Sequence, residues 1–156
     1  MVNNDTIIIV PRFKSSNGFY TSEERSKHMA KIKGKNTTPE LAFRKALWKL
    51  NIRYRKINKD LPGNPDIAIR KYKLVIFIDG EFWHGYNWKD KKLKIKANRD
   101  FWIPKIERNM QRDNFNNKEL EKMGYTDFRY WEATIKKDIM KCVNEVYESI
   151  SALRMN

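Results

Sequence analysis

Apolar positions fall into strand-like and helix-like patterns along this chain. Leu74-Val75-Ile76-Phe77-Ile78 is a continuous apolar run of strand length, as expected of a central strand covered on both faces. Ile67-Ala68-Ile69 reads as a short strand behind the turn Pro62-Gly63-Asn64-Pro65, and Asp127–Trp131 (DFRYW) alternates like a further strand. Three stretches carry helical periodicity. The first starts from Thr38 as N-cap, with Pro39 at the first helical position and Glu40 in the first turn, and runs to about Leu50. It is predicted to bury Leu41, Leu47 and Leu50 and to expose Arg44, Lys45 and Lys49. A long helix begins close to Pro104 and runs to about Met123, with Gly124 as its stop. A closing helix spans Lys136–Leu153, with Ile139, Val143, Val146 and Ile150 inward. The predicted order is helix, three strands, helix, strand, helix: an α/β fold with a mixed sheet and helices on both faces. Residues 1–20 mix Asn, Ser and Gly with a short β-prone piece, Thr6–Val10, and read as an arm without visible chemistry ahead of a single domain over 21–156.

Charge narrows the partner. Thirty-three Lys and Arg against nineteen Asp and Glu give a net charge of +14, a balance that attracts a polyanion. Between Arg25 and Lys56 there are eleven basic residues and one acid, Glu40. No run approaches the roughly 18 apolar residues of a membrane span, and no amphipathic anchor or signal peptide accompanies the charge, so a soluble, unexported, cytoplasmic protein is expected. The single cysteine, Cys142, excludes an intrachain disulfide and a cysteine-rich zinc cluster.

Polar chemistry crowds around the core strand. Asp66 opens the short strand after a proline-fixed turn, either as a strand-start residue bonding nearby amides or as a ligand at a rigid sheet edge. Asp79-Gly80-Glu81-Phe82-Trp83-His84 leaves the central strand with two acids, two large aromatics and one of the two histidines. Ile106, Met110, Asp113, Asn117 and Leu120 form one stripe on the long helix, which puts Asp113 on the apolar face. A carboxylate there is costly unless it is ion-paired or bound to something. Glu40 is explained equally by the helix dipole and by a site.

Five segments, HMAKIKGKNTTPE, LPGNPD, LVIFIDGEFWHG, RDFWIPKIERNMQRD and the strand-end YWE, occur in an order and spacing that resemble the very short patch repair (Vsr) endonucleases, a branch of the PD-(D/E)XK, restriction-endonuclease-like superfamily. The resemblance covers about Ser22 to Ile150. It implies Mg²⁺-dependent nicking of duplex DNA 5′ of the thymine in a T·G mismatch, with Mn²⁺ as a substitute ion. It implies metal ligation by Asp66 and the main-chain carbonyl of Ile78, proton transfer by His84, and support from the carboxylates of Glu40 and Asp113. Phe82, Trp83 and Trp102 match aromatics that wedge into the base stack; Lys105 and Asn109 match positions approaching the mispaired bases. Met29, Lys31, Lys33 and Lys35 lie in the first segment and are expected to contact DNA. A monomer working beside mismatch-repair proteins and the nucleoid is the implied setting.

One feature departs from that family. Its members commonly hold a structural zinc at positions that here read Glu81, Tyr86, Trp88 and Ala133, so no zinc site is expected and packing around Tyr86 and Trp88 should hold the loop instead. Two other functions remain open on these residues: a related nicking nuclease with the same site and a different target, and a basic DNA-binding module without activity.

Overall fold

Middle place in the sheet goes to the continuous apolar run. In a computed structural model describing residues 5–156, Leu74–Asp79 forms strand β2 and is buried along its whole length between β1 (Ile67–Ile69) and β3 (Thr126–Trp131). β1 pairs antiparallel to β2 with Ile67 opposite Ile76, and β3 pairs parallel with Leu74 opposite Thr126 and Asp79 opposite Trp131. The helices are α1 (Glu23–Lys31), α2 (Thr38–Lys49), α3 (Trp88–Lys94), α4 (Arg99–Lys122), α5 (Glu132–Lys137) and α6 (Ile139–Arg154).

Strand alternation divides the core into two layers. Ile67, Ile69, Leu74, Ile76, Ile78 and Tyr130 face α2 and α6, where Phe43, Leu47, Val143, Val146 and Ile150 fill the space. Ala68, Val75 and Phe77 point to the other face, against Leu120 of α4. Helices therefore cover both faces, and α4 is the crossover between the parallel strands β2 and β3. Among the described residues, no helix is long and apolar enough to cross a membrane.

Several boundaries differ from the sequence reading, each for a local reason. Two strands, not three, lie between α2 and α4; the remaining extended segment contributes only an isolated bridge from Arg55 to Ala68. The N-cap of α2 is Thr37, whose backbone N–H donates to the Glu40 carboxylate at 2.9 Å. The predicted buried stripe of α2 is also rotated. Leu41 is 52% exposed while Arg44 is buried, because Arg44 follows Glu40 by one turn and pairs with it at 3.0 Å. α4 starts about one turn before the expected point, with the Asn98 carbonyl accepting the N–H groups of Phe101 and Trp102, so Pro104 lies inside the helix. The closing helix is split at Asp138, whose side chain accepts the Lys141 N–H and starts α6 afresh.

The arm is not detached from the domain; its first four residues lie outside the described ones. Phe19 is buried, Phe13 packs edge-on to Phe101 with ring centroids 4.9 Å apart, and the Asn98 side chain bonds both to the N–H and to the carbonyl of Tyr20.

Candidate active site

Asp66 stands at the end of the proline-fixed turn, next to the sheet. It immediately precedes β1, and its carboxylate accepts the Ile78 N–H at 2.7 Å across the antiparallel pair. Burial pushes its carboxyl up to about 7; the Ile78 hydrogen bond opposes the shift, while the charge and hydrogen bonding of Glu40 and the charge of Asp79 add to it. Glu40 is itself buried, held by Arg44 and by the Thr37 N–H. Asp66 and Glu40 line one cavity of about 280 Å³, together with Lys35, Lys56 and Lys59.

Around the other side of the β2 end, a second group gathers on the face covered by α4. His84 Nδ1 lies 2.6 Å from an Asp113 carboxylate oxygen and 3.8 Å from Asp79. Burial alone would lower the imidazole, but the Asp113 hydrogen bond and the charges of Asp79 and Asp113 outweigh it and leave His84 above its ordinary value. Ligand atoms of Asp79, His84 and Asp113 all fall within 4.8 Å of one another, a grouping that could hold a cation. Arg129 already supplies positive charge there: its Nη1 lies 2.8 Å from Asp79 and 3.9 Å from Asp113. A histidine whose Nδ1 is committed to a carboxylate is oriented for proton transfer through Nε2. Asp113 thus resolves its expected cost on the apolar face by binding a histidine, with the arginine of β3 close behind.

The two groups meet through the strand. Ile78 binds Asp66, the next residue is Asp79, and the charge of Asp79 is felt at Asp66. Four acids and one histidine from α2, β2, α4 and two loops thereby converge on one end of the sheet, the arrangement in which loops on a rigid scaffold carry chemistry.

Beside them stands an aromatic wall. Phe82 and Trp83 lie 5.2 Å apart, and each meets Trp102, at 5.2 and 5.7 Å. Phe82 keeps 43% of its surface exposed, and Trp83 and Trp102 are half-buried, so none of the three is a full core residue. Met29 and the side chains of Lys31, Lys33 and Lys35 are exposed, and Lys105 is half-buried. Asn109, expected to approach the mispaired bases, is buried here; it donates to the Trp83 carbonyl at 2.9 Å and accepts from Arg112 at 3.1 Å. Its amide props up the aromatic loop from within.

A family model described as DNA mismatch endonuclease Vsr matches residues 17–90. The chain is 44% identical over 130 residues to the type II nicking enzyme V.NmeDIP of Neisseria meningitidis serogroup C, an alignment covering 83% of this chain and 88% of that enzyme. It is 47% identical to V.HpaIIP of Haemophilus parainfluenzae across 83% of this chain and 93% of that one. The chain belongs to the Vsr family. It is a DNA endonuclease. The DNA mismatch endonuclease Vsr of Escherichia coli K12 is a more distant relative, 32% identical over 72% of this chain and 71% of its own length.

Within this Vsr-family chain, the positions set aside for zinc are occupied by direct contacts. Glu81 accepts the Ala133 N–H, so the first and last of the four positions meet without an intermediary. Tyr86 packs edge-on to Trp131 at 5.2 Å with Lys91 over its ring, and Trp88 Nε1 donates to Glu107, which also pairs with Lys92 at 2.6 Å. Gly85 anchors the same loop at φ +75°, where an added Cβ would collide with Met110 Sδ.

Asp79 and Arg129 went unassigned in the sequence. A signal for Arg129 existed: in DFRYW, Phe128 and Tyr130 take the face packed on α2 and α6, which turns Arg129 toward Asp113 and Asn117. Asp79 ends a strand buried on both faces, and a buried carboxylate at such a point needs a cation partner.

Proposed function

We propose that this Vsr-family endonuclease nicks one strand of duplex DNA 5′ of the thymine in a T·G mismatch, in a Mg²⁺-dependent reaction. The observation that carries the reading is that Asp66 and Glu40 line one cavity and that Asp66 accepts the Ile78 N–H at 2.7 Å, with the next residue, Asp79, 3.8 Å from the His84 of the His84–Asp113 pair. Among the described residues Asp66 has no Lys or Arg within ion-pair distance, whereas Asp79 and Asp113 share Arg129. Surplus negative charge without a fixed cation suits a hard divalent ion, so Asp66 and the main-chain carbonyl of Ile78 would hold Mg²⁺, with Glu40 supporting from behind. When bound, that ion supplies Lewis acidity and offsets charge on the scissile phosphate. His84 takes a proton through Nε2 while Asp113 fixes the ring and stabilises the imidazolium; Asp79, locked by Arg129, adds to that stabilisation. Lys35, Lys56 and Lys59 around the Asp66 cavity, with Lys31 and Lys33, draw the phosphate backbone in.

Phe82, Trp83 and Trp102 supply the discrimination. Unstacking a base step costs a few kcal/mol, least at a mispair, so a partly exposed aromatic wall beside the reactive groups favours mismatched sites. A second reading, nicking of matched duplex at a fixed sequence, draws on the type II nicking enzymes among the relatives and on a loop held by Glu81, Tyr86 and Trp88. Comparing nicking of T·G-mismatched, matched and single-stranded oligonucleotides separates them. Cleavage beside T·G alone supports the proposal, and equal cleavage of a matched site supports the second reading.

A further inference from the structure

The arm preceding α1 contributes a ring to the aromatic wall. A cavity of about 520 Å³ opens between the arm, α1 and the start of α4; its lining includes Phe13, Met29, Phe82 and Trp102, with Arg25 and Lys96 among the cations around it. That volume lies in the usual range of ligand pockets, roughly 300–1,000 Å³. Phe13 reaches it from a segment fixed at several points. Phe19 is buried against Phe101 at 5.6 Å, Asn98 clasps Tyr20 through two hydrogen bonds of 2.7 and 3.2 Å, and Asn17 donates back to the Arg12 carbonyl at 2.9 Å. So held, Phe13 lies edge-on to Phe101 at 4.9 Å and 6.5 Å from Trp102, while 38% of its surface stays exposed.

We propose that Phe13 is a substrate-contacting residue: its ring forms one side of a pocket, completed by Phe82 and Trp102, that receives a nucleobase of the duplex displaced from its stack. The proposal rests on the nuclease reading of the site. Aromatic faces accept any base, and the neighbouring cations Arg25, Lys94 and Lys96 match the phosphates flanking a displaced nucleotide. What points to a ligand is the position of Phe13: it lines the cavity with Phe82 and Trp102 and cations surround it, whereas Phe19 is buried against Phe101.

The test uses the full chain with Phe13→Ala, Phe13→Leu, Phe13→Tyr and Phe13→Trp. Each is assayed for binding and nicking on whichever duplex the wild type nicks fastest, and for thermal midpoint. Loss of one base–aromatic stack predicts binding roughly ten-fold or more weaker for Ala and Leu, with Tyr and Trp within about two-fold of wild type. A second reading comes from that duplex carrying 5-iodouracil beside the nick site, where irradiation should crosslink the base to residue 13 in the wild type. The proposal is overturned if Ala binds like wild type, if Leu restores binding as well as Tyr does, or if all four variants lose binding together with stability. Failure of the wild type to prefer T·G would instead count against the mismatch reading, since the Phe13 ratios are taken within one duplex.

Discussion

Replacing Asp66 with asparagine should stabilise the metal-free protein while destroying its activity. The carboxyl stands at about 7 in the folded chain against 3.8 ordinarily, and each unit corresponds to about 1.4 kcal/mol, which sets a ceiling of roughly 4 kcal/mol. Glu40 and Asp79 share responsibility for that shift, so a realistic gain is about half the ceiling, roughly 2 kcal/mol. Because the folded-state value is raised, the folded form binds the proton more tightly. The stabilisation is complete below 3.8 and is lost as pH rises through about 7. The substituted amide keeps an oxygen for the Ile78 N–H and carries no charge, so its advantage should grow between pH 5 and pH 8 and then level off. For a chain of this size roughly 2 kcal/mol moves the thermal midpoint by about 4–8 °C. Thermal unfolding in chelator at pH 5, 6.5 and 8 provides the measurement. An asparagine variant that melts at or below wild type at pH 8, or whose advantage does not grow with pH, would mean that the Asp66 carboxylate is not destabilised by its burial.

Four further outcomes are expected. Mg²⁺ should raise the midpoint of wild type at pH 8 and leave Asp66→Asn unchanged, as read by melting with and without the ion, because binding to the folded state stabilises by mass action. Since Asp113 and Asp79 hold His84 above its ordinary value, the rising limb of the rate–pH profile should lie above pH 6.5, and Asp113→Asn should lower both the rate and that midpoint. Gly85→Ala should cost about 1–3 kcal/mol in denaturant unfolding, because the left-handed backbone and Met110 both oppose a Cβ. Purified protein should carry less than one zinc per chain, with the same thermal midpoint with and without chelator, because Glu81–Ala133, Tyr86–Trp131 and Trp88–Glu107 hold the loop directly.

Much of the site was legible because it rests on local chemistry. A proline-locked turn, a doubly buried strand and an acid on an apolar helix stripe placed Asp66, β2 and Asp113 independently, and the resemblance joined them to His84. What escaped depended on which polar and aromatic groups find partners, near in sequence or far. Arg44 is buried because Glu40 accepts it, and Leu41 is consequently turned outward. Nothing in the segment around Asn109 announces that its amide is taken by the Trp83 carbonyl, 26 residues away. The arm looked featureless because its phenylalanines acquire meaning only against Phe101 and Trp102, more than eighty residues away. Periodicity reports which face is apolar; it does not report which polar group will find a partner there.

The central claim is that Asp66 and a divalent cation together cut the strand 5′ of a mispaired thymine. The most direct test is strand scission on one end-labelled duplex carrying a single T·G pair, for wild type and Asp66→Ala, with Mg²⁺ and with excess chelator, alongside binding of the same duplex. One cut 5′ of the thymine is expected with wild type and Mg²⁺, none in chelator, and none with Asp66→Ala although that variant still binds DNA. Scission undiminished in chelator, or surviving in Asp66→Ala, would contradict it.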